Sequence, residues 1–157
     1  MGQGSIIGYE INEKTCQISF YNDKEMEPQT LEVDSDNFQI PLIIGKLRDT
    51  WAYGKEAKRL ATLKEGFTVA RLLSRSLANE KIEFGDETYD AVWLLSQFIQ
   101  MSLQSFPKID GIVFSVPVLT EVRKRSASIR LKKVNRADME GSMTLFWKKI
   151  RKNERRR

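Results

Sequence analysis

The apolar and polar positions of this chain change period several times, and each change marks an element. Residues 5–11 (Ser5-Ile6-Ile7-Gly8-Tyr9-Glu10-Ile11) are mostly apolar, the pattern of a largely buried strand. Asn12-Glu13-Lys14 reads as a turn, and residues 15–21 then alternate as a second strand. Asn22-Asp23-Lys24 is a further turn signal, followed by period-two alternation at Thr30-Leu31-Glu32-Val33. Three strands joined by short turns predict an antiparallel meander. Residues 38–44 form an apolar extended segment interrupted by Pro41, which favours a sheet edge because proline cannot donate to a ladder. Residues 50–54 read as a short extended piece, and 55–63 as a helix of strong formers that stops near Gly66. The stretch 67–77 has room for a second short helix, and 81–84 with Gly85-Asp86 reads as a small strand and turn.

The clearest periodicity runs from Asp86 or Thr88 to Phe106. Ala91, Leu95, Phe98, Ser102 and Phe106 recur at helical spacing with Val92, Leu94, Ile99 and Leu103 beside them, and Pro107 cannot continue the helix. Residues 109–116 are a continuous apolar run, the pattern of a central strand covered on both faces, and Pro117 ends it. Thr120 can cap a basic, weakly amphipathic helix through Lys133, and a last helix is predicted over 138–152 with Met139, Met143, Phe146, Trp147 and Ile150 on one side. The predicted class is α/β: a ribonuclease-H-like mixed sheet, an antiparallel three-strand meander plus a parallel strand, with flanking helices. Residues 1–136 make that domain; 137–157, the last helix and basic end, pack on it or continue it.

Composition narrows the function classes. An apolar share of 41% and a charged share of 30% are those of an ordinary globular protein. No apolar run approaches the roughly 20 residues that span a bilayer. The opening Met1-Gly2-Gln3-Gly4-Ser5-Ile6 misses a myristoylation signal because Ile6 stands where Ser or Thr is required. The single cysteine, Cys16, cannot close an internal disulfide and reads as a small apolar residue in a strand; a reducing cytoplasm is the expected compartment. With no histidine, a zinc site and any Ser–His–Asp or Cys–His nucleophile are excluded on composition. Acidic residues are spread through the first 120 positions, and no pair stands out as a general acid and base.

Short passages in the right order carry a resemblance. Ile6-Ile7-Gly8-Tyr9-Glu10-Ile11-Asn12 with the strand after it resembles the first phosphate hairpin of the actin, hexokinase and heat-shock-chaperone ATPase superfamily. Ile40-Pro41-Leu42-Ile43-Ile44, then Trp51-Ala52-Tyr53-Gly54-Lys55-Glu56-Ala57, look like the chaperones' isoleucine-proline and glycine-x-x-alanine passage. Phe67-Thr68-Val69-Ala70-Arg71-Leu72-Leu73 resembles the segment that carries their catalytic lysine, and Ile112-Val113-Phe114-Ser115-Val116-Pro117 their valine-proline strand. Asp138-Met139-Glu140-Gly141-Ser142 sits where the chaperones begin a helix on an acidic residue. The chain thus resembles an N-terminal lobe of that superfamily, most of all uncharacterised bacterial chaperone-like proteins.

The resemblance implies a phosphate site formed by Gly8, Glu10, Asn12, Lys14, Thr15 and Glu140. Glu10 stands where the superfamily has a metal-water aspartate, Asn12 where it has glycine, and Glu13-Lys14 where it has threonines. Glu13 opposes a phosphate and Lys14 partly offsets it; Ala70 replaces the lysine, with Arg71 adjacent. Glycine serves such hairpins by letting backbone N–H groups approach a phosphate closely. A degenerate site and the missing second half, with its other hairpin and adenosine pocket, imply no ATPase activity for this chain alone. ATP with magnesium is expected only if another chain completes the site, and no cofactor is expected otherwise. Glu10 also reads simply as a solvated carboxylate at a strand end.

Charge is concentrated late. The net +5 arises because residues 121–157 hold 14 of the 26 basic and only 4 of the 21 acidic side chains. Arg123, Lys124, Arg125, Lys132, Lys133, Lys148, Lys149 and Arg151 are therefore candidates for nucleic-acid or anion binding, with Phe146 and Trp147 suited to stacking or a membrane interface. A solvated helix face with a basic end is the simpler alternative. An exposed apolar face on the last helix invites self-association or a protein partner. Three functions stay open: a degenerate lobe acting as a binding or scaffold module, a nucleic-acid-associated protein, and a nucleotide-binding subunit completed by another chain.

Overall fold

A computed structural model describes residues 4–22, 24–117 and 126–132. Alternation builds its main sheet. Strands β1 (Ser5–Ile11), β2 (Thr15–Asn22) and β3 (Glu27–Thr30) run antiparallel in succession. β4 (Ile40–Pro41) pairs with the start of β2, so Pro41 does lie on a sheet edge. β10 (Ile109–Pro117) lies parallel beside β1, with Tyr9 opposite Phe114, and β11 (Ser126–Lys132) pairs antiparallel with β10. The order is β11-β10-β1-β2-β3, a mixed sheet of parallel and antiparallel strands.

Between β4 and β10 lie three helices and two small sheets. β5 (Ile44–Leu47) is flanked by β6 (Thr50–Tyr53) and β7 (Phe67–Val69). Helix α1 (Lys55–Leu63) follows β6, α2 (Leu72–Leu77) follows β7, and the hairpin β8 (Lys81–Phe84) and β9 (Glu87–Asp90) leads into α3 (Ala91–Ser102). Ile7, Tyr9, Ile11, Cys16, Ile18, Ile112, Phe114 and Val116 are buried on one sheet face and form one core with Leu94, Leu95, Phe98 and Ile99 of α3. Each large aliphatic or aromatic side chain buried this way contributes about 1.5–3 kcal/mol. Tyr53 meets Phe98 edge-on at 5.7 Å, which ties the β5–β6–β7 sheet to α3, and Phe20 meets Phe106, just beyond the end of α3, at 5.4 Å.

Several elements depart from the periodicity. The third strand falls at Glu27–Thr30, with Leu31 N–H still donating to Ile18 O at 2.8 Å, and the alternating residues beyond it leave the sheet. The stretch 67–77 divides into a strand and a helix. The long helix begins only at Ala91, because Gly85 at φ 64 turns the chain and residues 87–90 pair back onto β8. β10 is central; Gly111, Ile112, Phe114 and Val116 are buried while Val113 and Ser115 are half-buried. The helix predicted over 120–133 is contradicted: residues 126–132 form β11. There Ala127, Ile129 and Leu131 alternate with polar residues and stand in register with Val116, Phe114 and Ile112, so period two prevails. The predicted helix over 138–152 lies outside the described residues.

Candidate functional site

The β1–β2 hairpin was the predicted phosphate site, and its polar groups bond to one another. Asn12 Oδ1 accepts the backbone N–H of Lys14 at 3.0 Å, the N–H of Thr15 at 2.8 Å and the Thr15 hydroxyl at 3.2 Å. Asn12 N–H donates to Thr15 O at 2.9 Å and Lys14 O accepts from Leu42 N–H at 2.9 Å. This is an asparagine turn, in which a short side chain bonds to the backbone of its own turn. The Glu13 carboxylate accepts the Ser74 hydroxyl and, at 3.3 Å, the Ser74 N–H. It thereby satisfies an orphan donor in the first turn of α2, where a negative charge is favoured. The pairing of Glu13 with Ser74 was not legible from sequence, since the two lie 61 residues apart.

The fold brings the hairpin to the start of α2, where Ala70 and Arg71 are exposed. Gly8 sits opposite Ser19, whose Oγ lies 2.4 Å from where a Cβ would be, so a larger residue there would have to turn the Ser19 hydroxyl aside. Glu10 is exposed, between Gln17 and Ser115 in register. Lys132 ends β11 opposite Gly111. Glu140, Arg123, Lys124, Arg125, Lys133, Lys148, Lys149 and Arg151 lie outside the described residues. Among the described residues no group of His, Cys, Asp or Glu is arranged to hold a metal ion, and no helix is long and apolar enough to cross a membrane.

A second feature was not anticipated. An open groove of about 1360 Å³ runs between the segment after β3, the β5–β6 hairpin, the start of α1 and the end of α3. All of β6 and Gly54 line it in succession, so the groove follows the strand's edge. Asp34 and Lys55 join across it at 2.7 Å, and Glu56 holds Arg59 at 2.8 Å. The hydrogen bond from Lys55 holds the Asp34 carboxyl below its ordinary range. Beside the groove, Lys46 Nζ stands 5.3 Å from the Trp51 ring centre and 5.7 Å from that of Tyr89, and donates to Glu87 at 2.8 Å. That hydrogen bond raises the Lys46 ammonium and lowers the Glu87 carboxyl. The cation fixes the aromatic cluster of Trp51, Tyr89 and Trp93 from one side.

Residues 25–131 match a family described as "Family of unknown function (DUF5716) C-terminal". The chain belongs to that family. Its span begins after the β1–β2 hairpin and takes in every residue that lines the groove. The DUF5716 C-terminal match therefore covers the insertion and α3 but not the candidate phosphate turn. No curated protein matches the chain.

Proposed function

We propose that this chain is a ribonuclease-H-like first lobe of the actin and heat-shock-chaperone kind that serves as a non-catalytic binding or scaffold module. The fold reading is supported by the meander β1-β2-β3, the parallel seat of β10 beside β1, and the insertion between the meander and α3. The observation that carries the function is the closed turn at Asn12. A phosphate needs free amides, and those of Lys14 and Thr15 already bond to the Asn12 side chain. Glu13 adds a carboxylate at the same turn, committed to α2. Phosphoryl transfer depends on positioning and charge stabilisation, and this turn offers neither.

Thermal unfolding with and without millimolar ATP and magnesium tests the proposal. A ligand present at 100 times its Kd stabilises by about 2.7 kcal/mol, which raises Tm by roughly 5–10 °C for a chain of this size. No shift is expected. A shift of several degrees that Glu10→Ala or Lys14→Ala abolishes would overturn the reading in favour of a nucleotide-binding subunit.

A further inference from the structure

The groove beside β6 ends a sheet without covering its edge. β6 pairs with β5 only, in the register Ile44↔Tyr53, Gly45↔Ala52, Lys46↔Trp51 and Leu47↔Thr50. Gly54 N–H donates to Ile43 O at 2.9 Å, so that pair is hydrogen-bonded across the ladder. Antiparallel pairs alternate between bonded and non-bonded. Thr50, Ala52 and Gly54 therefore turn their backbone groups inward to β5, whereas Trp51 and Tyr53 turn theirs outward. Among the described residues those two N–H and two C=O groups meet no partner. They face the groove.

The walls define what fits. The Trp51 and Tyr53 rings lie toward α3, where Tyr53 meets Phe98, and Met101 continues that apolar wall. The opposite face of the sheet is covered by α1, whose Leu60 reaches 3.6 Å from the Cβ position of Gly45. An incoming strand would thus have an apolar side against α3 and a polar side against α1. A volume of about 1360 Å³ exceeds the roughly 300–1,000 Å³ of small-molecule pockets. Residues 31–34, 37 and 39–41 also line the groove.

Charge completes the description. The lining holds Arg48, Lys55, Lys58 and Arg59 against Glu32, Asp34 and Glu56; Lys55 is matched by Asp34 and Arg59 by Glu56, while Arg48 and Lys58 have no acidic partner among the described residues. Helix α1 also opens into this groove at Gly54 without a side-chain cap, so its first amides add positive potential.

We infer that this groove binds an extended, acidic peptide segment of another protein as an added strand on β6. Main-chain hydrogen bonds to Trp51 and Tyr53 give affinity, apolar side chains pack toward Met101, and carboxylates on alternate positions meet Lys58 and Arg48. The inference rests on the reading of the chain as a binding module and supplies its site and partner class. The two fail separately: nucleotide binding tests the closed turn, and peptide binding tests the groove.

The test uses the full chain and a labelled hexapeptide of alternating valine and glutamate. Fluorescence polarisation should show binding with a Kd on the order of 10–100 μM, and hydrogen exchange should show Trp51 and Tyr53 amides slowed on binding. An alternating valine–lysine peptide, and the Arg48→Glu/Lys58→Glu double variant, should each weaken binding about tenfold. N-methylation of one alternating set of peptide amides should abolish binding, while methylation of the other set changes it less than about threefold. Because that comparison alters only the peptide, it does not depend on a variant folding. Equal effects of both N-methyl sets, or equal binding of the lysine peptide, would overturn the inference. So would protection of both amides without peptide: insensitive to dilution it would mean the chain covers its own groove, and appearing only on concentration it would mean a second copy does.

Discussion

A buried chain of hydroxyls makes a sharp prediction about which hydrogen-bond partner matters more. Ser102 Oγ donates to Ile99 O at 2.8 Å, which uses its only proton. The Tyr9 hydroxyl, 2.6 Å away, must therefore donate to Ser102, and the Cys16 thiol donates to Tyr9 at 3.6 Å. Tyr9 is 1% exposed and Ser102 is 4% exposed. Ser102→Ala leaves the tyrosine proton orphaned in the core, at a cost of about 1–3 kcal/mol. Tyr9→Phe removes the donor itself and leaves Ser102 still bonded to Ile99, so it should cost only about 0.5–1.5 kcal/mol. In a Phe background Ser102→Ala should then be nearly neutral, giving a coupling energy about equal to the whole Ser102→Ala cost, about 1–3 kcal/mol. Urea unfolding followed by tryptophan fluorescence measures all four proteins. A Tyr9→Phe loss larger than that of Ser102→Ala, or strict additivity of the two, would refute the assigned proton directions.

The same cluster sets the alkaline limit. Burial pushes the Cys16 thiol from 9.0 up to about 12 and raises the Tyr9 hydroxyl well above 10.0, so above about pH 9 the unfolded chain releases protons that the folded chain keeps. This cluster should leave stability unchanged between about pH 6 and 9 and lower it as pH rises toward 12, and Cys16→Ser with Tyr9→Phe should flatten that loss; urea midpoints against pH check it. Native Cys16 should resist alkylation at pH 8 and react once urea unfolds the chain, as mass spectrometry would show, since a buried thiol supplies little thiolate. Lys64 ends α1 at φ 56, so Lys64→Gly should stabilise by about 0.5–1 kcal/mol in calorimetry. Gly66 is the opposite case: at φ 63, with a Cβ position 2.3 Å from Lys46 O, Gly66→Ala should cost about 1–3 kcal/mol.

Local pattern carried most of the elements. β1, β2, the helix Lys55–Leu63 and β10 were legible because each is a run whose own period names it. β9 was not, since Thr88 and Tyr89 fit the start of a helix until Gly85 folds them onto β8. β11 was misread for a related reason: a basic stretch reads as a helix until its backbone pairs in register with β10.

The sites divide in the same way. The sequence by itself determined that histidine chemistry is absent, while the phosphate turn at Asn12 and Glu13 was an expectation carried by a resemblance. Only the tertiary structure decided what those residues do instead: Asn12 binds its own turn, and Glu13 reaches Ser74 on another element. It alone decided that Trp51 and Tyr53 turn backbone groups with no partner among the described residues into a groove between two helices. Periodicity reports which side of an element is apolar. Which edge stays unpaired, and which polar atoms meet, depends on residues far apart in sequence, and no local pattern carries that distance.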